Sequence, residues 1–135
     1  MKPKKKLTRK KVIQKLDKVF SQYTRAKYMD DNGYIECYTC RIKFPFNKIQ
    51  AGHFMSRKSY STRWEEMNVM PQCIGCNMFK QGKQYEFGKR LDADFGDGTA
   101  DEMLILSKKT KKFTTFELEE MIDSYLEKLN NLQLL

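Results

Sequence analysis

The sequence predicts an α+β chain, with helical ends around a centre of short strands. Three observations lead there. Cys37-x-x-Cys40 and Cys73-x-x-Cys76 are two matched cysteine pairs. Apolar residues recur at helical spacing near both ends, whereas the stretch around the cysteines reads as short extended pieces broken by turn residues. With 135 residues, 40% hydrophobic and 32% charged, one compact domain is expected, and so small a core gains from a bound metal or a cross-link.

Residues 1–11 are a charge run containing Pro3. From Lys11 to about Met29, Val12, Ile13, Leu16, Val19, Phe20 and Tyr23 fall on one helical face. Lys10, Lys15, Lys18 and Arg25 lie around the others, so this helix can pack, present charge, or do both. "DDNG" at 30–33 ends it, which makes 1–30 a basic arm and helix. The central segment, 31–97, follows. "YIECYTC" leads into a knuckle, Pro45 and Asn47 mark a turn, and "KIQAGHF" leads out. Residues 55–66 are polar and read as a loop, and "MNVMPQC" reads as a second strand that Pro71 keeps short. Past Cys76, "NMFKQGKQYEFGKRLDADF" predicts a helix with Asn77 near its start and Met78, Phe79, Tyr85 and Leu91 packed inward. Gly82 and Gly88 weaken that helix by about 1 kcal/mol each relative to alanine. "DFGDG" breaks the chain, and 98–135 forms a helical extension of the same domain. There Thr99-x-x-Glu102 and Thr114-x-x-Glu117 read as capping boxes opening helices at about 100–107 and 115–131. In the second, Phe116, Leu118, Met121, Ile122, Tyr125, Leu126 and Leu129 make an apolar stripe that either closes the core or pairs two subunits as a homodimer.

The net charge is +9, unevenly distributed. Residues 1–30 carry eleven Lys/Arg against Asp17 and Asp30, and residues 41–90 carry ten against Glu65, Glu66 and Glu86. Residues 91–135 reverse the balance, with five Lys against ten acids. A basic arm and centre suit a polyanion such as DNA, because neutralised phosphates release counterions. No apolar run approaches the roughly 20 residues that cross a membrane. The basic start lacks the apolar stretch of a signal peptide, since Lys15, Asp17 and Lys18 interrupt it, so a cytoplasmic protein is expected. Disulfides are disfavoured there, and paired cysteines more often bind metal. Two Cys-x-x-Cys knuckles supply four soft thiolates, which suit a tetrahedral Zn2+ with no open position, a structural site. His53, the only histidine, is then not needed as a zinc ligand.

In order, the chain offers Cys37-x-x-Cys40, Gly52-His53, Trp64, Asn68, Cys73-x-x-Cys76-Asn77 and Lys80. That layout resembles zinc-stapled HNH nucleases, with a treble-clef-like ββα-metal core. The string "AGHFMSRKSYSTRWEEMNVMPQCIGCNMFKQG" is similar to the NinG (Rap) family of lambdoid phage recombination proteins, and the likeness covers about residues 35–92. The resemblance implies a metal-dependent DNA endonuclease acting on branched or recombination-intermediate DNA, in the host cytoplasm if phage-encoded. His53 resembles the general base, and a neutral imidazole near pH 7 can take a proton from water. Asn77 resembles the residue whose side-chain oxygen holds a catalytic Mg2+ or Mn2+. Asn68 resembles the asparagine that ties the loop and orients the histidine's hairpin. Asn68 and Asn77 read independently as turn residues or helix caps. Arg57 and Arg63 are placed to contact phosphates, with Lys4, Lys5, Lys6, Arg9, Lys10, Lys11, Lys58 and Lys80 on the basic surface. Trp64 reads as a packing residue. Many HNH enzymes have Asp or His before the base as a second metal ligand, where this chain has Gly52. The resemblance then implies an ion on Asn77 and waters, with Glu86 steadying a water and Gln50 a weaker alternative ligand. The alternative function is a non-catalytic zinc-ribbon DNA-binding recombination mediator, which needs the cysteines and basic arm but neither His53 nor Asn77.

Overall fold

Residues 6–133 of this computed structural model are described, and Lys4 and Lys5 of the basic arm lie outside them. The chain is α+β, with helices at both ends and two small antiparallel sheets between them. Helix α1 spans Arg9–Ala26, and the Thr8 hydroxyl caps it by accepting from the Lys11 N–H at 3.3 Å. Val12, Leu16, Val19, Phe20 and Thr24 bury one face, while Lys10, Lys11, Lys15 and Lys18 stay in water. Helix α5, Thr115–Gln133, opens on the expected capping box. The Thr114 N–H donates to Glu117 Oε1 and the Glu117 N–H to Thr114 Oγ1, each at 3.1 Å. Leu118, Ile122 and Tyr125 pack on α1, with the Phe20 and Tyr125 rings edge to face at 4.9 Å. Trp64 and Val69 complete this cluster, so the two ends share a core with the centre. The stripe closes the core, although Phe116 and Leu126 remain exposed.

Strands β1 (Tyr34–Glu36) and β2 (Lys43–Pro45) pair antiparallel, as do β3 (Ile49–His53) and β4 (Val69–Cys73). Pro71 does not shorten β4 but sits at its middle, opposite Ala51. Its carbonyl accepts from the Tyr38 N–H at 2.8 Å, on the side away from β3, where a missing N–H breaks no ladder bond. The loop expected at 55–66 contains a single helical turn, α2 (Tyr60–Arg63).

After Cys76 the chain departs from expectation. Gly75–Phe79 form one wide helical turn, and Gln81, Gly82 and Lys83 are all left-handed, with φ of 54°, 81° and 48°. Helix α3 starts only at Gln84 and runs to Phe95. Two bonds fold the segment back: the Gly82 N–H donates to the Cys76 carbonyl at 2.8 Å, and the Gly82 carbonyl accepts from Gln72 Nε2 at 2.9 Å. The later start rotates the inward face onto Phe87, Gly88 and Leu91, so Met78, Phe79 and Tyr85 are exposed rather than packed. Helix α4, Thr99–Ser107, lacks its expected capping box. Thr99 Oγ1 instead donates to the Gly96 carbonyl at 2.7 Å, and left-handed Gly98 takes the cap position. At its other end, the Ser59 and Ser61 hydroxyls donate to the Ser107 and Leu106 carbonyls at 2.5 and 2.6 Å. No helix among the described residues is long and apolar enough to cross a membrane.

Candidate functional site

The two knuckles meet. Cys37 and Cys40 follow β1, Cys73 ends β4, and Cys76 lies in the wide turn, with all four sulfur atoms within 4.8 Å of one another. Cys40 Sγ and Cys73 Sγ are 3.8 Å apart. A zinc tetrahedron with Zn–S bonds of about 2.3 Å has edges of about 3.8 Å, so the cluster fits such an ion. Backbone N–H groups also point at sulfur, Cys73 N to Cys37 Sγ at 3.3 Å and Cys76 N to Cys73 Sγ at 3.4 Å. Burial disfavours the Cys37 thiolate, but N–H groups of Cys40, Cys73 and Thr39 outweigh it and bring the thiol down to about 6. Burial pushes Cys40 up to about 12, with the neighbouring sulfurs adding to the effect. A divalent cation offsets that mutual repulsion. Four cysteines can therefore hold a metal such as zinc.

A cleft of about 530 Å³ runs between α1 and β3, lined by Asp17, Phe20 and Ser21 on one side and Gln50, Ala51, His53, Arg57, Asn77 and Met78 on the other. His53, Arg57 and Asn77 thus converge from separate parts of the chain. His53 ends β3, and its Nε2 lies 2.9 Å from the Arg63 carbonyl. A carbonyl only accepts, so Nε2 carries the hydrogen and Nδ1 is the basic nitrogen. Burial, foremost, holds the His53 pKa below its ordinary 6.5. The charges of Arg57 and Arg63 add to this, while the Arg63 carbonyl and Asp17 oppose it. The ring is neutral at pH 7.

Arg63 is engaged within the protein. Its Nε and Nη2 donate to the two oxygens of Asp17 at 3.1 and 2.6 Å, and its Nη1 donates to the Arg57 carbonyl at 3.0 Å. Trp64 Nε1 donates to Asp17 Oδ1 at 2.9 Å, and the indole stacks on Tyr60 inside the core. Asp17 therefore fixes the segment whose carbonyl holds His53. Sequence reasoning missed this role. The available signal was that Asp17 is the only acid among residues 1–29. Arg57 stays exposed at the mouth, 3.9 Å from Asp17 Oδ2, and remains the available guanidinium.

Asn68 is fully buried and does not line the cleft. Its Oδ1 accepts from the Met55 N–H at 2.8 Å, and its Nδ2 donates to the Met55 and Thr62 carbonyls at 3.0 Å. It closes the loop that carries Arg57 and Arg63, which makes it a positioning residue. Asn77 caps no helix. Its Nδ2 donates to Gln50 Oε1 at 2.9 Å, which leaves Oδ1 as its free acceptor. Gln50, the alternative oxygen ligand, thus orients Asn77 from within the same cleft. Glu86 is exposed on α3 and does not line the cleft, because the late start of that helix carries it away. Gly52 has a steric cause. A Cβ there would overlap Gln72, reaching within 2.6 Å of its Cδ and 2.9 Å of its Cγ. Gln72 is fully buried and anchored through Nε2 to Thr39 Oγ1 at 3.1 Å and to Gly82. Lys6, Arg9, Lys10, Lys11, Lys58 and Lys80 are all exposed.

The family described as Bacteriophage Lambda NinG protein matches residues 1–134. The chain belongs to the NinG family. The NinG match reaches well beyond residues 35–92 and takes in α1 with Asp17 and α5. Membership suggests a role connected with phage recombination. No curated protein and no solved structure matches the chain significantly.

Proposed function

We propose that this NinG-family chain is a metal-dependent DNA endonuclease, hydrolysing phosphodiester bonds in branched or recombination-intermediate DNA through an HNH-type ββα-metal site. The supporting observation is the convergence of His53, Arg57 and Asn77 on one cleft beside the cysteine cluster. In this reading β3, β4 and the turn after Cys76 carry the site. Nδ1 of neutral His53 accepts the proton of the attacking water, while Nε2–H stays on the Arg63 carbonyl and fixes the ring plane. Arg57 binds a non-bridging phosphate oxygen at the cleft mouth. Asn77 Oδ1, oriented by Gln50, is the protein ligand for Mg2+ or Mn2+. When bound, that ion supplies charge at the phosphate and the leaving oxygen. The exposed bases Lys6, Arg9, Lys10, Lys11, Lys58 and Lys80 contribute sequence-independent backbone contacts.

The test is cleavage of matched duplex, flap and four-way-junction DNA with Mg2+, Mn2+ or EDTA. His53→Ala should slow cutting by about 10²- to 10⁴-fold while zinc content and melting temperature hold. Cutting at the wild-type rate by His53→Ala would remove the base from this mechanism. One observation favours the second reading, a zinc-ribbon DNA-binding mediator. Gln72 occupies the space beside Gly52, so the cleft offers no second ligand from that position. That reading predicts tight junction binding and no cutting with any divalent ion.

A further inference from the structure

Phe79 and Tyr85 are 81% and 73% exposed, more than any other large apolar side chain among the described residues. They flank the tight turn at 80–83, whose three left-handed residues include non-glycine Gln81 and Lys83. A side chain in that region costs conformational energy, and the bonds from Gly82 to Cys76 and Gln72 hold it there. The turn is thus anchored to the cysteine knuckle, and both rings are presented from a fixed base. Lys80, Lys83 and Lys89 lie within four residues of one ring or the other, with Glu86 the one acid between Met78 and Leu91, and Lys89 Nζ lies 5.2 Å from the Tyr85 ring centre. Met78, next to Phe79, lines the cleft beside Asn77, so the surface is continuous with the proposed site.

We propose that Phe79 and Tyr85 are a stacking platform for unpaired nucleotides of a DNA strand leading into the cleft. The inference rests on the reading that DNA is the partner, and adds which form of it is held. Exposed rings among lysines meet both needs of a single strand, a π-face for each base and cations for its phosphates. An apolar protein partner would gain nothing from the three lysines, whereas a nucleic acid uses rings and charges together. Bases inside a duplex are stacked on one another and give the rings no face, so the platform selects single-stranded segments.

The experiment measures binding of a labelled oligothymidylate and of a duplex of equal length, in EDTA so that no cutting intervenes. Phe79→Ala and Tyr85→Ala should each weaken oligothymidylate binding by about 5- to 150-fold. Duplex affinity, melting temperature and the salt dependence of binding should hold, because no charge is lost. Tyr85→Phe should bind like the wild type. Unchanged oligothymidylate affinity in the double alanine variant, or an equal loss on duplex, overturns the platform. Absence of any DNA binding by the wild type overturns both this and the DNA reading. A chain that cuts through His53 yet ignores loss of both rings refutes the platform alone, and one that needs the rings but never cuts refutes the nuclease alone.

Discussion

Replacing Asp17 separates the support of His53 from its chemistry. Asp17 and Arg63 side chains are 20% and 16% exposed and are joined by two hydrogen bonds. Removing one partner of a fully buried pair costs about 3–5 kcal/mol, and an exposed pair is worth at most about 1 kcal/mol. This intermediate pair should be worth about 2 kcal/mol. Asp17→Asn loses that charge pairing but keeps an oxygen for Trp64 Nε1. Asp17→Ala also strands the indole N–H of a residue only 5% exposed, which adds about 2 kcal/mol. Melting temperatures should fall by about 8 °C for Asn and about 16 °C for Ala in a domain of this size. The second readout follows from composition. His53 is the only histidine, so its ring resonances titrate without ambiguity in NMR. Wild-type His53 should titrate below 6.5, and Asp17→Asn should lower it further, because Asp17 favours the charged ring. A purely structural role would leave that titration in place. Since a base must be neutral, the acid limb of any cleavage profile should move to lower pH with it. A wild-type value at or above 6.5, or an Asp17→Asn variant whose titration does not move, refutes the reasoning.

Stripping the metal with a strong chelator should unfold the centre of the chain, because the ion is the cross-link between the two knuckles and its binding free energy is folding free energy; elemental analysis should find one zinc per chain in the wild type and a deficit in Cys73→Ser. Gly52→Ala should lose about 2–3 kcal/mol in chemical denaturation by displacing anchored Gln72, and Gln72→Ala in the same chain should cost less than the separate losses summed. Thr114→Ala should cost about 1 kcal/mol, since it removes the hydroxyl that caps α5, whereas Thr99→Ala has no helix cap to remove. Stability should also fall as pH drops below about 6.5, because the unfolded histidine then takes up a proton that half-buried His53 resists; a melting temperature flat from pH 7 to 5 would contradict this.

The parts legible in the sequence were those written over short distances. Helix α1 declared itself by spacing, α5 by spacing and a reciprocal capping box, and the metal cluster by two matched knuckles. What was hidden depended on partners far along the chain. The start of α3 is set by Gln72 reaching the Gly82 carbonyl, and without that contact residues 77–95 read as one helix. Phe79 and Tyr85 were consequently assigned to the core, and the error concealed an exposed aromatic surface. Arg63 has the charge and position of a phosphate contact, yet its partner Asp17 lies 46 residues earlier, on a helix whose other charged residues are all basic.

Gly52 bears most directly on mechanism. In sequence it looks like a missing ligand, a place where chemistry was lost from a nuclease motif. In the fold it is the glycine that lets Gln72 cross over β3 and tie the first knuckle, through Thr39, to the turn after the second, through Gly82. Gln72 Oε1 is a buried acceptor without a hydrogen-bond donor among the described residues, facing the Gly52 backbone. Nε2 of the same side chain is bonded twice, to Thr39 Oγ1 and to the Gly82 carbonyl. The benefit lies in Nε2, which braces the segment that presents Asn77. A carboxylate at position 52 would add a potential ligand and displace that brace. On the proposed endonuclease reading, the glycine would trade a second ligand for the rigid placement of Asn77, and a one-ligand site for a strongly hydrated ion would depend on that rigidity.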